Sequence, residues 1–374
     1  VDKIFVKIIK YTLLFLLIFI KNSYAQSLET ILKNSESELI SYVYSNQEKF
    51  EVQIILTELK KRGKSFTIHK KKFNSDKNNY FYPASSIKLP IALLTIEKIN
   101  ESSDLNINSE FSIQGDSIIT TFKKEITDLF IISSNESYNR LFEFLGQDYI
   151  NEKLKQKGFK DFSISHRLST KESDNLKTKE INFYSNGEIL KIQKSIKNKP
   201  VSKLNLKNLN KGIGFLLNNK LQNKPMDFSR KNYFSINELN NILICLFFPE
   251  ISKNKKFNLS KSQNLLIQKL MSSTPFEMGF DKNMYPNNYN KFFIYGDKNG
   301  MINDNIFNKV GNAYGYSIDN AYIYNKNSDR HFVLTACIYT NANNILNDNN
   351  YEYDEIGIPF LAEIGRLLTK YDIR

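Results

Sequence analysis

Tryptophan is absent from this 374-residue chain, histidine occurs three times and cysteine twice. Each scarcity excludes something. His69, His166 and His331 are widely scattered and form no His-x-His cluster, so no zinc ligand set is in view and neither a metal nor another cofactor is expected. Cys245 and Cys337 lie in the apolar stretches 242–248 and 332–338 and read as two buried thiols rather than a functional pair. An oxidising compartment would permit one disulfide between them, which sequence alone does not decide. No Gly-x-Ser-x-Gly elbow occurs. The chain has one long apolar run, Tyr11 to Ile20, about half of the roughly 20 residues a bilayer requires.

That run follows Lys3 and Lys7 and leads to Ser23-Tyr24-Ala25, a small-x-small pattern. It predicts a signal peptide over residues 1–25 with cleavage after Ala25, and a periplasmic or secreted product. No cysteine follows to carry a lipid, so no stable membrane anchor is expected after cleavage. The formal charge is +13, of which the leader (Lys3, Lys7, Lys10 and Lys21 against Asp2) holds +3, leaving +10. Lysine is spread among asparagines along the whole length rather than gathered in a stripe, which argues against a nucleic-acid surface and suits an anionic substrate or an acidic cell-wall surface. A monomer is expected.

With 41% apolar residues over its full length, the chain can build a sizeable core. Apolar positions at helical spacing over 28–44 predict an opening helix, and residues 51–56 and 66–69 read as a β-hairpin. Helices are predicted over 87–99, 125–145 and 236–247, and the middle of the chain is expected to be mainly helical or irregular. No path is assigned to residues 185–262, which are rich in Lys, Asn and Ser. Strands return at 304–310, 320–325 and 332–339, before an amphipathic helix over 354–369. The expected fold is α+β: an antiparallel sheet formed by the N- and C-terminal segments, flanking helices, and an inserted mainly helical lobe over roughly 85–300. Residues 26–374 are expected to form one domain of two lobes with a cleft between them.

Three short motifs carry chemistry. Ser85-Ser86-Ile87-Lys88 opens the most apolar predicted helix, which places an amine one turn from a hydroxyl. A lysine with a depressed pKa can take the serine proton, and a helix N-terminus offers N–H groups to an oxyanion. Alone, Ser85 is as readily a helix cap. Ser133-Ser134-Asn135 falls between two helices, where Ser and Asn are also ordinary capping residues. Lys309-Val310-Gly311-Asn312 ends one strand just before another and would turn a cation toward a cleft. Other matches, Ser252 to Lys255, Lys61 to Gly63 and Lys298 to Gly300, lack these settings.

In this order the three motifs resemble those of class A β-lactamases and penicillin-binding proteins, over most of the chain apart from 185–262. The resemblance implies that Ser85 is acylated, Lys88 acts as acid or base, and Ser133 passes a proton to the leaving nitrogen. It further implies that Asn135 holds the acyl side chain, Lys309 attracts the substrate carboxylate, and the backbone N–H groups of Ser85 and Asn312 form an oxyanion hole beside Gly311. The implied activity is opening of β-lactam amides. A cell-wall D-Ala-D-Ala peptidase, or a protein that binds lactam or peptide without turnover, is the alternative. The chain departs from the family at Ser134, usually aspartate, and at Val310, usually threonine or serine. Arg167 and Leu168 match the residues before the deacylating glutamate, which puts Ser169 in its place, with Glu172 the nearest carboxylate.

Overall fold

A computed structural model describes residues 26–63, 65–252, 255–298, 305–326 and 328–370. Residues 1–25, where a signal peptide is expected, and residue 304 of the predicted strand lie outside them. The centre of the fold is a five-stranded antiparallel sheet made from β1 (Gln53–Arg62), β2 (Ser65–Phe73), β3 (Asn305–Ala313), β4 (Tyr316–Asn325) and β5 (Arg330–Tyr339). Its order is β3-β4-β5-β1-β2, so the two ends of the chain meet where β1 pairs with β5, from Gln53 opposite Cys337 to Leu59 opposite His331. The hairpin predicted at 51–69 is present, and longer.

Alternation along the strands buries both sheet faces. Ile54 and Leu56 of β1, with Phe332, Leu334, Ala336 and Ile338 of β5, pack toward the terminal helices α1 (Leu28–Lys33), α2 (Glu38–Ser45) and α9 (Ile358–Leu368). The intervening Ile55, Val333 and Cys337 face the inserted region. The single opening helix predicted over 28–44 is two helices. Ser37 accepts the Ile40 N–H at 3.0 Å and so caps α2, which stops α1 from running on. Cys245 and Cys337 are buried free thiols.

α3 (Lys88–Asn100) is buried on nearly every side, with Leu89, Ile91, Leu93, Leu94 and Ile96 at the middle of the larger core. Around it lie α4 (Phe122–Ile131), α5 (Asn135–Leu145), α6 (Gln147–Gln156), α7 (Ile236–Phe247) and α8 (Lys261–Ser272). The predicted helix 125–145 is divided between α4 and α5 by the Ser133-Ser134-Asn135 turn. α7 is fastened to the sheet by Asn240, which accepts from Thr57 at 2.8 Å and donates to Thr335 at 3.1 Å.

The inserted region is less helical than expected. Residues 110–113, 120–121, 181–185 and 188–193 form a four-stranded sheet, and 214–217, 220–222 and 345–346 a three-stranded one. Strands 162–163 and 233–234 pair and close the base of the long segment between them. Turns in this glycine-poor chain are made largely by asparagine: Asn186, Asn208, Asn218, Asn219, Asn344, Asn347 and Asn349 all take positive φ. The amide side chain tolerates that conformation better than most residues do. Among the described residues no helix is long and apolar enough to cross a membrane.

Candidate active site

A cleft of about 850 Å³ opens between the β3 edge of the sheet and the inserted region. Ser85, Ser133, Asn135, Ser169, Gly311 and Asn312 line it. The sequence places these residues at four separate points of the chain, and the fold unites them.

Ser85 sits in a single 3₁₀ turn, Ala84–Ile87, that leads directly into α3. β3 lies against this turn. A Cβ added at Gly311 would stand 2.5 Å from the Ser85 nitrogen and 2.9 Å from the Ala84 Cβ, so only glycine lets the strand come this close to the serine. Ala84, Ser133, Ser169 and Tyr314 line the cleft with positive φ at 46°, 55°, 50° and 54°. A side chain held there costs about 1–2 kcal/mol, and strain of this kind gathers where a site fixes its geometry.

Lys88 is wholly buried, and its Nζ donates to the Ser133 carbonyl, to Asn135 Oδ1 at 2.8 Å and to Ser133 Oγ at 3.3 Å. Burial, then the nearby Lys309 ammonium, push its pKa well below the ordinary lysine value, while Glu136 acts the other way. From β3, Lys309 donates to Ser133 Oγ at 2.8 Å. Its own pKa is pushed down to about 7, chiefly by burial, against the pull of Asp319. The Ser133 hydroxyl therefore lies between two amines, each easier to deprotonate than a lysine in water.

Behind β3, Asn308 accepts from Lys291 at 2.8 Å and donates to Asp319 at 2.9 Å and to the Asn290 carbonyl at 3.0 Å. Asp319 also accepts the Phe293 N–H at 2.9 Å. This buried network pins to the sheet the segment that supplies Tyr289 and Phe292 to the cleft wall. Burial raises the Asp319 pKa to about 6.

The opposite wall comes from residues 165–173. Arg167 makes a two-pronged ion pair with Glu143 at 2.5 and 2.9 Å and also donates to the carbonyls of Asn175 and Lys177. That anchor sets Ser169 beside Asn135, whose Nδ2 donates to Ser169 Oγ at 3.0 Å. Ser134 accepts the Ser137 N–H at 3.0 Å and so caps α5, a task an aspartate also performs. Val310 is buried beside the cleft and packs into the core below the sheet. Glu172 is exposed, bonds Asn175 at 3.4 Å and does not line the cleft. Asp354 is the only carboxylate among the described lining residues.

Sequence reasoning missed the aromatic wall. Tyr82, Tyr289, Phe292, Tyr314, Tyr351 and Tyr353 line the cleft, with Tyr82 and Tyr314 edge to face at 4.9 Å. Lys231 also escaped notice. The positions of Tyr82, three residues before Ser85, and Tyr314, three residues after Gly311, were the available signals; the others lie in stretches without a motif. Among the described residues, no group of three or more His, Cys, Asp or Glu side chains is placed to hold a metal ion.

Comparison with solved structures shows the fold shared with this class. A class A β-lactamase from Bacteroides cellulosilyticus aligns with a TM-score of 0.53 at 10% identity, over 92% of this chain and 98% of its own. PBP-A, a mutant in acyl-enzyme complex with penicillin G, aligns at 0.54 and 12%, over 93% and 99%. A β-lactamase from Xanthomonas campestris aligns at 0.52 and 11%, over 91% and 99%. No curated protein matches the sequence. The model of the beta-lactamase enzyme family matches residues 36–371, nearly the whole described chain, and the protein belongs to that family.

Proposed function

We propose that this protein is an exported serine hydrolase that opens β-lactam amides, or equivalent cell-wall peptide bonds, through an acyl-enzyme on Ser85. The observation that carries the reading is the burial of Lys88 beside Ser133, with Lys309 on the other side of the same hydroxyl. In its neutral form Lys88 accepts the Ser85 proton as Ser85 Oγ bonds to the carbonyl carbon. The Ser85 and Asn312 N–H groups receive the oxyanion beside Gly311. When the tetrahedral intermediate collapses, the C–N bond breaks and the leaving nitrogen takes a proton from Ser133, which is resupplied from Lys88. Lys309, as a cation, attracts the substrate carboxylate, and Asn135 holds the acyl amide.

Deacylation is the slow half-reaction. Ser169 lines the cleft beside Asn135 at the position where the resemblance calls for a water-activating carboxylate, and Glu172 does not line the cleft. This favours a slow hydrolase or an acyl-trapping protein over a fast β-lactamase. Intact-mass measurement with a cephalosporin tests the assignment. One adduct per chain should map to the Ser85 peptide, vanish in Ser85→Ala and form 10²–10⁴-fold more slowly in Lys88→Met, about the worth of a positioned acid or base. An adduct that persists in Ser85→Ala would refute it.

A further inference from the structure

Besides Lys309, which reaches the cleft through Ser133, two cations line it among the described residues, Arg167 and Lys231. The Arg167 charge is committed to Glu143. Lys231 is half-buried just before the strand 233–234, and its ammonium has no hydrogen-bond or ion-pair partner among the described residues. The opposite charge that acts on it belongs to Asp174, an exposed side chain beyond ion-pair distance. Burial lowers the Lys231 pKa and Asp174 only partly restores it. An ammonium partly withdrawn from water and left unpaired costs free energy that an incoming anion recovers.

The position of Lys231 says which part of a substrate it would meet. It acts electrostatically on His166 and shares the cleft wall with Ser169, Thr170 and Ser173. That wall is tied to Asn135 through Ser169. If Asn135 holds the acyl amide, as in the reading above on which this inference rests, the acyl substituent runs toward Lys231. We propose that Lys231 is a specificity-determining residue that binds a carboxylate on the acyl side of the substrate. Favoured lactams or peptides then carry two anions, one met by Lys309 and the other by Lys231.

Matched penicillins test this: 6-aminopenicillanic acid acylated with butanoyl or succinoyl, and with hexanoyl or adipoyl. Each pair differs only in a terminal carboxylate, offered at two distances. Equilibrium binding to Ser85→Ala, which cannot be acylated, is measured by calorimetry. At least one dicarboxylate should bind roughly tenfold more tightly than its neutral partner, the preference vanishing in Lys231→Met and returning in Lys231→Arg. Equal binding within both pairs, or a preference that survives Lys231→Met, overturns the proposal. Acylation of the wild-type chain is followed separately by intact mass. An adduct without a carboxylate preference sinks the Lys231 site alone, and a Lys231-dependent preference without an adduct sinks the Ser85 reading alone.

Discussion

Replacing Gly311 by alanine should separate the two halves of the oxyanion hole. The new Cβ would meet the Ser85 nitrogen at 2.5 Å, the Ala84 Cβ at 2.9 Å and the Ser85 Cα at 3.1 Å. Two of these atoms are backbone, and Ala84 is buried with positive φ, so no flexible side chain can swing away to relieve the contact. Ordinary van der Waals separation then requires β3 and the 3₁₀ turn to part by about 1 Å. Overpacking of this kind costs roughly 1–3 kcal/mol of stability. Its effect on chemistry is larger, because oxyanion donors must stand about 2.7–3.1 Å from the developing charge. Loss of one donor lowers the rate by about 10²–10³, or roughly 3 kcal/mol of barrier. Stopped-flow acylation with a chromogenic cephalosporin, beside circular dichroism and thermal melting, gives both quantities. A folded Gly311→Ala protein that acylates within threefold of wild type would refute the close-approach argument.

The acylation rate constant kcat/KM for a carboxylate-bearing lactam should fall about tenfold per pH unit above the Lys309 pKa of about 7, because the cation is present below that pH and lost above it. Lys309→Arg keeps its charge, so its profile should stay level across that range in the same assay. Asp319→Asn removes the carboxylate that holds the Lys309 pKa up, so the alkaline limb should move to lower pH. It also weakens the buried hydrogen bonds that Asp319 accepts from Asn308 and from the Phe293 N–H, and denaturant unfolding should report a loss of about 1–3 kcal/mol. Ser169→Glu places a carboxylate beside Asn135, and adduct lifetime by mass spectrometry should shorten at least roughly tenfold. An unchanged lifetime would mean that deacylation is not limited by the missing base.

The parts of this site that were legible in the sequence are those fixed by local chemistry. Ser85 and Lys88 share one turn, so their relation follows from helix geometry, and the apolar run after them marks a buried helix. β3 and β5 were legible through their short runs rich in β-branched and apolar residues, and their place in one sheet with β1 through the order of elements. The inserted region resisted reading because its Lys, Asn and Ser composition hides short strands, and because asparagine makes turns that glycine would have marked. Lys231, Tyr351 and Tyr353 were illegible for another reason. They reach the cleft through long-range packing of segments around 228–233 and 347–358, which no periodicity or spacing encodes. Ser133 lies in between: its motif was visible, but only the fold shows its hydroxyl held between Lys88 and Lys309.

Pre-steady-state kinetics with a chromogenic cephalosporin test the central claim most directly. An acyl-enzyme on Ser85 that forms quickly and breaks down slowly should release a burst of about one equivalent of colour per chain, then a slow linear phase, with both absent in Ser85→Ala. Linear colour release without a burst, or a burst that survives in Ser85→Ala, would contradict the account.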